Sequence, residues 1–129
     1  MVCQALQGAR GYQVQSQVNV GLRSIGGTKH IVDFVVTRAD RRFLVSVKWQ
    51  GTSGTGEDKV PFEVISLADA LTHDKTLSVA YLVIGGDGWT QSKKDYYVGG
   101  KLKHRIFGTE RVRCVTLDVF LGMMHRGEL

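Results

Sequence analysis

The sequence predicts an α/β fold in which helices flank a mixed central sheet. Two short segments rich in β-branched residues, His30 to Val36 (HIVDFVV) and Ser78 to Ile84 (SVAYLVI), are typical of buried strands. Between them, Pro61 suits the first turn of a helix. The residues around it place apolar side chains at helical spacing, namely Val60, Val64, Leu67, Ala68 and Leu71. Strands interrupted by such a helix favour a layered sandwich built around the sheet.

The elements are expected in the order (α)βββαβ(α)βα. The alternation of polar and apolar residues in YQVQSQVNV predicts a half-buried first strand, and the short connection at 39–42 predicts a hairpin between the next two strands. In chain order we expect a short helix over 2–9, a strand from Tyr12 to Val20, a turn at 24–28, strands from His30 to Val36 and from Phe43 to Trp49, a flexible polar loop over 50–59, the helix after Pro61, a strand from Ser78 to Ile84, a part-helical window over 91–113, a strand from Arg113 to Leu117 and a closing helix from Asp118 to Met124.

Length and composition are typical of one small globular domain. The chain has 129 residues, 43% of them hydrophobic and 22% charged, which predicts a single domain over 1–129. No segment approaches the roughly 20 apolar residues of a membrane span, and the start has no basic region followed by an apolar core, as a secretory signal would. Two isolated cysteines, Cys3 and Cys114, form neither a disulfide framework nor a zinc site. We therefore expect reduced thiols in a cytoplasmic protein.

Positive charge is concentrated near the carboxyl end. The formal net charge is +5, and the window 91–113 alone accounts for it. A local basic surface can attract phosphates by releasing counterions, although a solvated surface with spare lysines is an equal alternative. The candidate DNA contacts in this window are Lys93, Lys94, Lys101, Lys103 and Arg105.

Two predicted buried strands each contain a charged residue, Asp33 in one and Lys48 in the next. An unpaired charge in such a setting costs several kcal/mol. Ser46 and Lys48 share one face of their strand because side chains alternate, and hairpin pairing would bring Asp33 beside that face. A carboxylate that holds a hard cation and an ammonium that offsets negative charge are what phosphodiester hydrolysis needs. The alternative is a structural salt bridge between Asp33 and Lys48.

Asp33, followed on the next strand by Ser46-Val47-Lys48, resembles the PD-(D/E)xK nuclease superfamily, in which an Asp precedes a Glu/Asp-x-Lys motif. The resemblance implies a restriction-endonuclease-like αβββαβ core, Mg²⁺ as cofactor with Mn²⁺ as a substitute, and DNA as substrate. The longer string from Lys48 to Glu63 is similar to a small group of uncharacterised or phage-type members, so a phage or mobile element is one source that the resemblance allows.

The sequence departs from this pattern at the second carboxylate, where Ser46 stands. Residues 1–32 also contain no Asp or Glu, so the acid often found on the family's first helix is missing. Some members with a Ser-x-Lys motif recruit a glutamate from the following helix, which implies Glu63 as the second acid. Its alternative role is that of an acid favoured by the helix N-terminus, and Glu57 is a weaker candidate. The resemblance also allows the backbone carbonyl of Val47 as a metal ligand.

Two neighbours of Lys48 have opposite expected roles. Gln50 falls on the same face as Lys48 and could hydrogen-bond the attacking water or a phosphate, or be an ordinary polar residue at a strand end. Trp49 points the other way and is expected in the core rather than as a platform for base stacking. The segment from Gly51 to Gly56 (GTSGTG) lacks the Gly-Lys-Ser/Thr ending of a nucleotide-binding loop.

The leading hypothesis is a DNA endonuclease of the restriction, homing or junction-resolving type. Cutting both strands requires two active sites, so we expect a homodimer or a higher homo-oligomer. One alternative is a non-catalytic DNA-binding or assembly module with a degenerate nuclease site. Another is a structural α/β domain in which the two charges form an ion pair.

Overall fold

The computed structural model describes residues 2–8, 11–52, 54 and 56–129. The described residues form four α-helices, five strands and two 3₁₀ turns. Ala9, expected at the end of the first helix, and Ser53 and Thr55, expected in the polar loop, lie outside the described residues. In chain order the elements are α1 (Val2–Gly8), β1 (Gln13–Leu22), β2 (Lys29–Arg38), β3 (Arg41–Trp49), a 3₁₀ turn (Gly56–Lys59), α2 (Val60–His73), β4 (Ala80–Gly85), α3 (Gln91–Val98), a second 3₁₀ turn (Lys101–His104), β5 (Val112–Thr116) and α4 (Leu117–His125).

The strands form one mixed sheet in the order β1-β2-β3-β4-β5. The first three strands are antiparallel neighbours, because tight turns reverse the chain between them. β4 lies parallel to β3, and β5 parallel to β4. Each parallel pair needs a crossover connection, which α2 provides for the first pair and the segment containing α3 for the second. The predicted α/β fold with a mixed sheet is confirmed.

Helices cover both faces of the sheet. On one face, α2 packs Val64, Leu67 and Leu71 against β3 and β4 side chains such as Leu44 and Leu82. The opposite face carries α1 and α4, and its cluster includes Leu6, Phe43, Val45, Tyr81 and Phe120. Side chains of β3 alternate between these layers, so Ser46 and Lys48 belong to the α2 face while Val47 and Trp49 belong to the α1/α4 face.

Two expectations about the segment after β3 are corrected. Trp49 is 64% exposed, so it is not a core residue, because the helices that cover its face leave the end of β3 open. The polar loop expected over 50–59 ends in the 3₁₀ turn Gly56–Lys59, which buries Glu57. Sequence alone missed this turn because its stability comes from tertiary contacts with α3.

The end of β3 is fixed by a close approach of two backbones. The Gln50 amide N–H donates to Gly85 O at 3.0 Å, and the Gly88 N–H donates to Gln50 O at 2.8 Å. Gly86 has a φ of 94°, and a Cβ there would lie 2.3 Å from Gln50 O. Only glycine fits at this position, so the sequence Gly85-Gly86-Asp87-Gly88 allows the loop after β4 to pack on the segment after β3.

Within the described part of the chain, every helix is too short or too polar to span a membrane.

Candidate active site

A gap between β2 and β3 positions Asp33. The ladder between these strands runs from Arg38↔Arg41 to Phe34↔Val45 and goes no further toward the start of β2. Asp33 Oδ2 accepts the backbone N–H of Val47 at 2.7 Å, so the carboxylate replaces the missing ladder bond. No hydrogen bond reaches Asp33 Oδ1 from the residues that the structure describes. One oxygen of this half-buried carboxylate is therefore available to a ligand.

Val47 presents its backbone to the same gap. In an extended strand the N–H and the C=O of one residue point to the same side, and the Val47 N–H points at Asp33. The Val47 carbonyl therefore lies on the strand edge that faces β2. The gap has an acidic oxygen from β2 on one side and a carbonyl oxygen from β3 on the other.

The second group of polar residues lies on the α2 face. Glu63, in the first turn of α2, is only 6% exposed. Its Oε2 lies 3.5 Å from Lys48 Nζ, and its Oε1 accepts the Ser46 hydroxyl at 3.5 Å. Pro61 lies in the first turn of α2, and this turn places Glu63 over the end of β3. The structure thus brings together Glu63, Lys48 and Ser46.

His30 completes this group, and the sequence analysis missed it. Its Nε2 lies 2.8 Å from Glu63 Oε1, and the ring is 2% exposed. Within the described residues, His30 Nδ1 is buried without a hydrogen-bond partner. The signal was present in the sequence, because His30 and Val32 alternate on the face that α2 covers.

Glu63 is held in its ionised form. Burial raises the pKa of its carboxyl group. The hydrogen bond from His30 and the positive charge of Lys48 lower the pKa by more than burial raises it, so the pKa of Glu63 lies below the ordinary value. The side chain of Lys48 is 37% exposed, so its ammonium group also reaches solvent. A buried carboxylate therefore holds a cation at the surface beside the end of β3.

Asp33 and Lys48 approach β3 from different sides. Asp33 lines a cavity of about 280 Å³ together with Val47 and Trp49, on the α1/α4 side. Within the described part of the chain, the ion-pair partner of Lys48 is Glu63, and no ion pair joins Lys48 to Asp33. The salt bridge between Asp33 and Lys48, which the sequence left as an alternative, is therefore absent from the described part of the chain. Asp33 lies at the β2/β3 gap rather than against the Ser46/Lys48 face, because the strands separate before their side chains could pair.

The remaining candidates near the site have structural partners. The side-chain amide of Gln50 donates to Gly88 O at 2.8 Å, which ties β3 to the glycine-rich turn after β4. Glu57 accepts the N–H and the hydroxyl of Thr90 at 2.9 and 2.8 Å. These bonds lower the pKa of Glu57 and attach the 3₁₀ turn to the start of α3. Glu57 thus holds Thr90, the residue before α3, and its recorded ion-pair partner is Lys93 rather than Lys48.

Side chains of the basic window differ in their contacts. Lys93 Nζ lies 2.9 Å from Asp58, and Lys101 Nζ lies 5.8 Å from the centre of the Tyr96 ring. Lys103 and Arg105 are exposed, in and just after the second 3₁₀ turn. Contacts of these residues with phosphate stay a prediction. Lys94 lines a separate cavity beside Trp49.

The donors at the gap fit a hydrated magnesium ion. Mg²⁺ prefers oxygen ligands and binds through one or two carboxylates while keeping several waters. No group of three or more His, Cys, Asp or Glu side chains arranged for a metal ion occurs among the described residues, which argues against a cage made entirely of protein ligands. Asp33 and the Val47 carbonyl supply two hard oxygen donors on one gap. The residues therefore fit an ion held by few protein ligands.

Comparisons with known proteins identify the family of the chain and its fold. Residues 1–126 match the family model of a PD-(D/E)XK nuclease superfamily domain. None of the curated proteins matches the chain. Among solved structures, the crystal structure of a protein of unknown function, AF1548, is similar with a TM-score of 0.55 and 12% identity, and the alignment covers 98% of this chain and 64% of that one. At this identity the likeness shows the fold alone, and it agrees with the expected restriction-endonuclease-like core.

Proposed function

Because the chain belongs to the PD-(D/E)XK nuclease superfamily, we propose that it is a Mg²⁺-dependent DNA endonuclease, with Mn²⁺ as a substitute ion. The observation that carries the proposal is the arrangement at the end of β3. Lys48 is held 3.5 Å from the buried Glu63, and the adjacent Val47 holds Asp33 through its N–H. Two consecutive residues of one strand thus each contact an acid, Val47 contacting Asp33 on one face and Lys48 contacting Glu63 on the other.

The proposed roles follow from the position of each group. Asp33 and the Val47 carbonyl would hold the ion at the β2/β3 gap. Glu63, on the opposite face of β3, is the second carboxylate at this strand end, and its part in holding the ion stays a prediction. When bound, the ion would lower the pKa of a coordinated water and offset charge on the phosphate. Lys48 would stabilise the extra negative charge that develops on the phosphate oxygens. Ser46 helps to hold Glu63.

Gln50 has a supporting part in this scheme. Its side-chain nitrogen is bonded to Gly88, so it keeps the end of β3 in place beside the gap. Its contact with the attacking water or with a phosphate stays a prediction, and such a contact would use the amide oxygen.

The test is cleavage of supercoiled plasmid in Mg²⁺ and in Mn²⁺, with EDTA as the blank. We expect the wild-type protein to nick DNA and Lys48→Ala to lose at least about a hundredfold in rate, as removal of a group that stabilises transition-state charge costs in other enzymes. Lys75→Ala is the matched control, because Lys75 is exposed at the opposite end of β4 and the variant should cut at the wild-type rate. A Lys48→Ala protein that cuts as fast as wild type contradicts the assignment.

A second candidate is a DNA-binding or assembly module whose nuclease site has decayed. Two observations favour it: Ser46 stands where the family has its second acid, and no three-residue metal cluster is found in the described ranges. Calorimetry with Mn²⁺ discriminates the two functions. Heat of binding that disappears in Asp33→Asn supports the nuclease, whereas no heat in a protein that still shifts duplex DNA in a gel supports the module.

Assembly is a further part of the proposal. A protein of this size that cuts both strands needs two active sites, so we propose a homodimer or a higher homo-oligomer on DNA. Sedimentation velocity with and without a short duplex tests this. A strictly monomeric protein on DNA that still makes double-strand breaks in one binding event contradicts it.

A further inference from the structure

Trp49 presents an exposed aromatic ring next to the proposed metal gap. The residue is 64% exposed, and an exposed aromatic ring offers a surface on which a nucleic-acid base can stack. The ring is nevertheless held in place. A Cβ on Gly85 would lie 2.7 Å from the indole Cε3, so the indole rests on the backbone of β4 at a position where only glycine leaves room.

The two tryptophans of the chain differ in their polar contacts. The Trp89 indole N–H donates to Gly85 O at 2.8 Å, whereas no acceptor for the Trp49 indole N–H is found among the described residues. Trp89 is thus a structural anchor of the turn after β4. Trp49 rests on the backbone of β4, and the residue as a whole is largely exposed to solvent.

Trp49 lines two cavities. The first has a volume of about 280 Å³ and is also lined by Asp33, with Val47 and Leu117 among its apolar walls. The second has a volume of about 210 Å³ and is also lined by Lys94, Asp87 and Asp118. The mixed charges of the second cavity favour no ion by themselves, whereas the first combines an apolar wall with the proposed metal ligand.

We propose that Trp49 is a stacking platform for an unpaired DNA base, and that the substrate class is DNA with unpaired or extruded nucleotides rather than continuous duplex. This inference rests on the proposed function, since a phosphate at Asp33 would place a base of the same strand within reach of Trp49. A base inside a duplex is stacked on both sides and cannot lie flat on this ring. Base–aromatic stacking tolerates any sequence, because every base has a π face.

The experiment measures DNA binding without cleavage. Fluorescence anisotropy in EDTA compares two labelled duplexes that differ only in a single-nucleotide bulge. We expect wild type to bind the bulged duplex about fivefold to about a hundredfold more tightly, the range that one base–aromatic stack supplies. Trp49→Ala should bind both duplexes with the affinity that wild type has for the paired one, and Trp49→Phe should keep most of the preference.

Controls separate stacking from loss of structure. Ile25→Ala removes another large apolar side chain that is 49% exposed, and we expect it to keep the wild-type preference. A bulge containing 2-aminopurine should be quenched by wild type and not by Trp49→Ala. Equal binding of the two duplexes by wild type, or a preference that survives in Trp49→Ala, overturns the proposal. A change from dimer to monomer in Trp49→Ala, with the preference intact, would assign the ring to a second copy of the chain instead.

The outcome is independent of the nuclease test. If wild type nicks plasmid but does not discriminate between the duplexes, the stacking platform fails and the proposed nuclease stands. If the bulge preference depends on Trp49 but no divalent ion supports cleavage, the platform stands and the nuclease proposal fails.

Discussion

Replacing Glu63 by Gln tests whether the buried carboxylate is stabilising in the folded protein. The substitution keeps the shape of the side chain and removes its charge. The ion pair with Lys48 contributes little, about 0.5 kcal/mol, because Lys48 is 37% exposed and screened by solvent. The hydrogen bond with His30 is buried on both sides, and a bond to a charged group contributes about 1.5–3 kcal/mol. Removing the charge also removes the free-energy cost of burying the carboxylate, which offsets part of the loss of these two contacts.

The expected net loss is about 1–2 kcal/mol. For 129 residues, an unfolding entropy of about 2.1 cal/mol/K per residue converts each kcal/mol into about 4 °C. Glu63→Gln should therefore lower Tm by about 4–8 °C in EDTA at neutral pH. Differential scanning calorimetry measures this, with circular dichroism as a check that the fold is retained.

The pH dependence has a definite sign. The pKa of Glu63 is lowered in the folded protein, so its stabilising contribution is complete above the unfolded pKa of about 4.3 and is lost as pH falls through the folded pKa. Between neutral pH and strong acid, wild type should lose more stability than Glu63→Gln. A Gln variant with a higher Tm than wild type at neutral pH would refute the reasoning, because it would mean that desolvation of the carboxylate outweighs its contacts.

Three further predictions concern other groups. Asp33→Asn should abolish cleavage, and it should abolish the rise in Tm that Mn²⁺ gives the wild-type protein, while its affinity for DNA in EDTA stays within about twofold of wild type. A variant whose Tm rises as much with Mn²⁺ as that of wild type would contradict the role of Asp33 as a metal ligand. Lys103→Ala and Arg105→Ala should each reduce the slope of log K against log salt by about 0.9, and an unchanged slope would remove that residue from the phosphate contacts. Burial raises the pKa of the Cys114 thiol to about 12, so a thiol reagent at about pH 8 should modify Cys3 first and Cys114 only on unfolding; prompt modification of both would show that Cys114 is accessible.

Much of the fold was predictable because local patterns and tertiary structure agree. The apolar segments of β2 and β4 and the amphipathic pattern of α2 determine which residues enter the core, and glycines punctuate the ends of strands. The hairpin between β2 and β3 and the parallel crossover through α2 follow from connection lengths alone. These features predict the order of elements and the mixed sheet.

The candidate site was predictable only in part. The charges at Asp33 and Lys48 stand out from apolar strands, and Glu63 is recognisable from its place at the start of α2. The periodicity of the strands does not determine the positions of these three side chains relative to one another. Alternation alone would pair Asp33 with the Ser46/Lys48 face, whereas β2 and β3 separate beyond Phe34 and the carboxylate turns to the Val47 N–H.

The sequence by itself determined the apolar faces of β2, β4 and α2, and therefore the layers of the fold. Only the tertiary structure decided that Trp49 is exposed, that Glu57 holds Thr90 and that His30 contacts Glu63. The physical reason is that burial at the end of a strand depends on which helix or loop covers it, and hydrogen bonds such as that between His30 and Glu63 join residues 33 positions apart. Local propensity has no information about such contacts, because they form only after the layers have packed.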